Sequence, residues 1–357
     1  MTLKKRFGLG VVVIILVTLA YLLFAPVPIT PAAWTPPVAP TLTGKYAENT
    51  LLSPVDKLSL GEGHKPEDVA LDAEGNIYGG LEDGRIVVLN PDGTQPRVFA
   101  DTHGRPLGLI FDPAGNLIVA DAIKGLLSVN KSGEVKVLAT EADGAGFGCL
   151  NDLDVGADGT IYFTEASRKF PMSKFTSDLL EHQPNGRMLS LDPATGKPRT
   201  LLRDLYFANG VALSPDETFV LVAETGKYQV RRFWLKGPKA GQDDVFIGNL
   251  PGFPDGISSN RRDKFWLALV TPRQAVFDRM LPYPFVRKVV MRLPKFLQPA
   301  PKRYSFVLGL DLQGQVVENL QNGGPDCYAQ IANVVERNNH LYFGSIGEDS
   351  VGRFTLR

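Results

Sequence analysis

The chain has 357 residues, 38 of them basic and 38 acidic, for a formal net charge of zero. A balanced charge gives no global electrostatic case for nucleic acid as a partner. The length would suit two ordinary domains unless one repetitive architecture accounts for it.

Residues 1–6 carry Lys4, Lys5 and Arg6 and read as a cytoplasmic tail. Residues 7–24, FGLGVVVIILVTLAYLLF, run for 18 positions without a charge. As a helix they span about 27 Å, enough to cross a bilayer. Basic residues before the run and none soon after it predict a transmembrane signal anchor. The rest of the chain would then lie on the extracytoplasmic (periplasmic, extracellular or lumenal) side. The rival is a cleaved signal peptide, although the run is long for one and no small-x-small site follows it. Residues 25–50 hold six prolines between Pro26 and Pro40, show no hydrophobic period, and read as an extended linker.

From residue 51 onward one unit recurs: a short apolar run, a polar turn of four or five residues, and a second strand-like run. Its clearest copy lies within FANGVALSPDETFVLVAE, Phe207–Glu224, and is a β-hairpin signature. First turn residues fall at Asp72, Asp112, Gly156, Ser214, Asn260 and Glu336, giving intervals of 40, 44, 58, 46 and 76. Repeats of that length, with several short strands each, predict an all-β fold, a six-bladed β-propeller over residues 51–357. Leu51–Leu60 precedes the first full repeat and the last repeat stops short, so the early segment is expected to complete the sixth blade and close the ring.

Five residues before each turn stand Glu67, Leu107, Asn151, Asn209, Asp255 and Ile331. Equivalent positions in a closed ring converge on its axis, so four oxygen-bearing side chains should meet with apolar Leu107 and Ile331 beside them. Two carboxylates and two amides in a narrow channel need a counter-charge. An oxygen-only set without His or Cys favours calcium over magnesium. The blander alternative is a set of polar strand caps bonded around trapped water.

The long last interval contains a basic insertion, residues 272–303, with Asp278 its single acid. Val286, Val289, Val290 and Leu293 recur at helical spacing, predicting an amphipathic helix packed on the propeller with a solvated basic face. A lid over the channel mouth and a membrane-surface contact are the alternatives. Cys149 and Cys327 fall in the third and sixth repeats, on opposite sides of the ring, and are expected to be free thiols. No G-x-S-x-G elbow or H-E-x-x-H motif occurs.

The stretch FANGVALSPDETFVLVAETGKYQVRRFWLKGPKAG with the later LPGFPDGI resembles the strictosidine synthase-like propellers, closest to the adipocyte plasma membrane-associated protein type. A more distant likeness reaches the gluconolactonases and paraoxonases. It covers roughly residues 51–357, and it implies a calcium held by Glu67, Asn151, Asn209 and Asp255, the four positions already picked by register. The resemblance also places Asp68 and Asp152 where paraoxonases hold a second, structural calcium. The glutamate of the alkaloid-condensing members falls at about Ala332, so strictosidine synthase activity is not expected. The paraoxonase catalytic histidine falls at Leu107, and His64 and His103 are expected to be surface residues.

The expected function is that of a membrane-anchored calcium-dependent hydrolase of the arylesterase or lactonase type. Asp255 and Asn209 would be its catalytic residues, calcium its cofactor, and a small ester or lactone its substrate. The alternative is a non-enzymatic, membrane-tethered propeller whose structural calcium staples the blades and whose channel mouth binds a partner.

Overall fold

The computed structural model describes residues 3–356; Met1, Thr2 and Arg357, which end the expected tail and propeller, lie outside the described residues. Leu3–Phe24 form one helix of 22 residues with no buried side chain, about 33 Å long, so the helix takes in Lys4, Lys5 and Arg6 as well as the apolar run.

Six four-stranded antiparallel sheets follow, and each sheet is one blade. The innermost strands, in blade order, are Val69–Leu71, Pro106–Phe111, Cys149–Val155, Ala208–Leu213, Gly252–Ser259 and Ile331–Arg337. The outermost strand of the sixth blade is Asp56–Ser59, paired with the C-terminal strand Ser350–Thr355. The ring thus closes as expected, with its two ends hydrogen-bonded and no long free edge.

Every blade interface holds its own apolar cluster, and there are six such clusters. A middle strand is therefore covered on both faces, which is why residues 219–223 read as an unbroken apolar run and the strand Phe219–Glu224 is buried throughout. The hairpin turns follow local chemistry. Asp72 accepts the backbone N–H of Asn76 at 2.8 Å while Gly75, at φ +89°, takes the left-handed position that closes the turn.

Two departures concern the segments outside the blades. Residues 25–50 contain no strand and one turn of 3-10 helix, Gly44–Tyr46, and rather than standing free they lie against the propeller as a strap. Ile29 and Tyr46 are buried, and Trp34 stacks on His182 with ring centroids 4.4 Å apart. Arg273 donates to the Pro37 carbonyl at 2.7 Å, because a proline-rich strand leaves carbonyls unpaired and available.

The insertion forms helices Ala275–Met280 and Pro284–Arg292, so the helical spacing is borne out. Its inward face differs from expectation. Arg287 is fully buried and donates to the carbonyls of Leu180 (2.9 Å), Glu181 (3.3 Å) and Ala32, while Val286 is exposed. Three main-chain acceptors outcompeted a valine for that position. Cys149 and Cys327 are buried and free.

Candidate active site

Five of the six inner strands lose their regular register near the axis. The breaks fall between Pro106 and Gly108, Leu150 and Leu153, Ala208 and Val211, Pro254 and Ile257, and Ile331 and Asn333. Such bulges release residues from the ladder and turn their side chains toward the channel. The freed residues are Leu107, Asn151 with Asp152, Asn209 with Gly210, Asp255 with Gly256, and Ala332.

The glycines following Asn209 and Asp255 are required by close packing. A Cβ on Gly210 would meet the Ile257 amide, and one on Gly256 would meet the Asn333 side chain.

Glu67, Asn151, Asn209 and Asp255, picked by register, do come together, joined by Leu107. Ile331 does not: the bulge in the sixth blade frees Ala332 one residue later, so Ala332 lines the channel and Ile331 packs in the core with Leu52 and Trp266. Ala332 therefore occupies the ring where the condensing members' glutamate was expected, and it offers no ionisable group.

Glu67, Asn151, Asn209 and Asp255 form the floor of a cavity of about 760 Å³ and share a smaller void of about 10 Å³ with Asp68, Asp152 and Asn333. A void of that size holds roughly one water-sized sphere. The walls above the floor are apolar, with Met172, Phe175, Phe207, Phe253 and Phe277 among them.

Electrostatically the floor is short of cations. Burial raises the Asp255 carboxyl well above the usual carboxylate range, and the Glu67 charge pushes it further. Burial also raises Glu67, and Arg105, with Nη2 3.2 Å from Glu67 Oε2, works against that rise. No ion pair reaches Asp255 among the described residues. Asn209 donates to Thr225 Oγ1 at 3.2 Å, while the Asn151 amide nitrogen is buried with no hydrogen-bond partner. These oxygen donors fit a hard cation, since buried carboxylates are costly without a counter-charge.

One layer deeper, Asp68 accepts the backbone N–H groups of Val69 (2.6 Å) and Leu109 (2.7 Å), and Asp152 those of Leu153 (2.8 Å) and Val211 (3.0 Å). Each thus stitches its blade to the next. Burial holds Asp68 up at about 7 and Asp152 well above its ordinary value.

His64 and His103 are exposed, as expected, each beside a surface aspartate. Sequence reasoning missed Arg105, two residues before the Leu107 ring position. Its backbone N–H is fixed by buried Asp121 at 3.0 Å. It also missed the cavity wall from the helix Phe175–Glu181, although the 58-residue interval between the third and fourth turns marked its place.

The architecture is that of a six-bladed propeller with a polar axial floor under a largely apolar cavity. The chain belongs to the strictosidine synthase-like family. Family models described as "Strictosidine synthase" and "Strictosidine synthase-like, N-terminal" match residues 151–238 and 44–89. The protein STRICTOSIDINE SYNTHASE-LIKE 4 of Arabidopsis thaliana is 34% identical over 325 residues, covering 89% of this chain and 86% of that one. The bovine (Bos taurus) adipocyte plasma membrane-associated protein is 34% identical over 339 residues, covering 89% and 82%. Among solved structures, a Xanthomonas campestris gluconolactonase superposes with TM-score 0.62 at 19% identity, covering 86% of this chain and 91% of its own. Regucalcin from Agrobacterium tumefaciens, described as a calcium-binding protein, gives 0.60 at 16% identity over 85% and 94%. At those identities the structures share the fold.

Proposed function

We propose that the protein is a membrane-anchored, calcium-dependent hydrolase of carboxylic esters or lactones. The observation that carries this is the floor itself. Four buried carboxyl groups, Glu67, Asp68, Asp152 and Asp255, and three amides surround a void of about 10 Å³, with Arg105 the guanidinium beside them. Glu67, Asn151, Asn209 and Asp255 would hold the ion. When bound, calcium supplies a Lewis-acidic contact that polarises a substrate carbonyl and stabilises the developing oxyanion.

The chain's own groups do the rest. Asp255, on the floor beside Asn209, takes the proton of the attacking water and returns it to the departing oxygen. Asn209, fixed by Thr225, orients the substrate's polar end, and Phe207, Phe253 and Phe277 receive its apolar part and exclude water. The gluconolactonase and regucalcin likenesses support this reading through the fold they share with the chain.

The helix Leu3–Phe24 is the anchor, with Lys4, Lys5 and Arg6 in the cytoplasm and the propeller on the extracytoplasmic side. The stitching by Asp68 and Asp152 favours a second reading, in which an ion only staples the blades of a partner-binding module. Hydrolysis of aryl esters and lactones, abolished by chelator and restored by calcium, separates the two.

A further inference from the structure

Outside the anchor and the insertion, exposed large apolar side chains such as Val98, Val137, Val245 and Val317 are scattered singly along the sequence. The insertion is different. Val276, Tyr283, Phe285, Val286, Phe296 and Leu297 are all exposed, Phe296 at 84%, within 22 consecutive residues. Apolar exposure this concentrated marks an interaction surface.

The same segment grips the end of the anchor. Arg292 donates to the carbonyls of Leu22 (2.8 Å) and Ala25 (2.6 Å), the acceptors left free at that helix's C-terminus. Val27 packs with Val290 and Met291 around buried Ile29. Phe296 follows Arg292 by four residues, so it lies within about 14 Å of it along the chain. Phe24 ends the apolar span, and a headgroup layer is only about 5–8 Å deep on each side. Arg292, Val290 and Met291 thus tie the second helix of the insertion to the end of the anchor, which keeps the neighbouring Phe296 and Leu297 near the membrane interface.

Charge agrees with this placement. Arg273 pairs with Asp278, and Arg287 and Arg292 are spent on carbonyls. Arg279, Lys288, Lys295 and Lys302 have no ion pair among the described residues. Unpaired basic groups are attracted to anionic headgroups within about 8–10 Å, the Debye length near physiological salt. The segment is also the cavity's rim, because Gln274, Phe277, Lys295 and Pro299 line it.

We propose that residues 275–302 dock on the anionic bilayer surface that holds the anchor, setting the cavity mouth against the headgroup layer. This rests on the anchor in the reading above and deepens it: the substrates are amphiphilic esters or lactones drawn from the membrane, their apolar part entering past Phe277.

The test needs no hydrolysis, so its failure is distinct from failure of the enzyme reading. Full-length protein carrying Phe296→Trp or, as a control, Val245→Trp is reconstituted into phosphatidylcholine–phosphatidylglycerol vesicles whose acyl chains are brominated near the headgroup. The added emission of Phe296→Trp over wild type should shift to the blue and be quenched several-fold more than that of Val245→Trp, more so with phosphatidylglycerol than without. Equal quenching of the two variants overturns the proposal. So does shielding of the new Phe296→Trp fluorophore that ignores bromination and grows with protein density, which would assign the patch to a second copy of the chain.

Discussion

Arg105 on the second blade and Glu67 on the first meet at the cavity floor, both buried, with Nη2 3.2 Å from Oε2. The guanidinium therefore stands beside a residue assigned here to the metal. Two cations sharing one carboxylate repel by a few kcal/mol at an effective dielectric near 20. Arg105→Gln should raise calcium affinity by about tenfold or more, read by calorimetric titration of chelator-stripped protein. Weaker binding would instead make Arg105 the group that positions Glu67.

Asp255 has a different assignment from its neighbours. Asp255→Asn keeps an oxygen donor and removes both the base and one charge, so calcium should still bind, more weakly, while turnover falls by about a thousandfold. Asn209→Ala should reduce the calcium-induced rise in melting temperature, and Asn130→Ala, on an exposed turn, should leave it unchanged.

The contact between the strap and His182 should make stability pH-dependent. Burial holds its imidazole down at about 3, with Lys227 and Arg287 adding repulsion. The folded value lies below the unfolded one, so this contribution is intact above about pH 6.5 and is lost as pH falls toward 3. The slope is at most about 1.4 kcal/mol per pH unit. Asp178, held up at about 6 by burial, acts with the opposite sign over part of that range, so the comparison must be made against a variant. Denaturant unfolding of wild type and His182→Asn should diverge below pH 6.5, with the wild type losing more stability.

Arg287 ties the insertion, the strap and the third blade together through carbonyls of Leu180, Glu181 and Ala32. Arg287→Leu removes the donor to the Leu180 and Ala32 carbonyls, while Glu181 still accepts the Ala32 N–H at 3.0 Å, and should destabilise the protein by about 2–4 kcal/mol. Thermal unfolding measures the loss, and limited proteolysis should find residues 25–50 cut sooner in the variant than in wild type.

The ring was legible because hairpin patterning and register are properties of single strands repeated in sequence. Glu67, Asn151, Asn209 and Asp255 could be aligned from a fixed offset to the turn, and the structure brings them together. That same offset failed at Ile331, since a bulge shifted by one residue exchanges core for channel and nothing in the local pattern marks the shift. Arg105 and the docked strap were invisible for another reason. Both depend on contacts between segments far apart in sequence, Arg105 with Glu67 and Trp34 with His182, and a Pro-rich stretch looks the same free or docked.

Initial rates of hydrolysis by purified full-length protein, across aryl esters and lactones, with calcium and with chelator, test the central claim most directly. Turnover above the buffer rate that is lost on chelation, recovered with calcium and largely abolished in Asp255→Asn is the result expected. No hydrolysis of any member at saturating calcium would contradict the enzyme reading and leave a calcium-stapled binding module in its place.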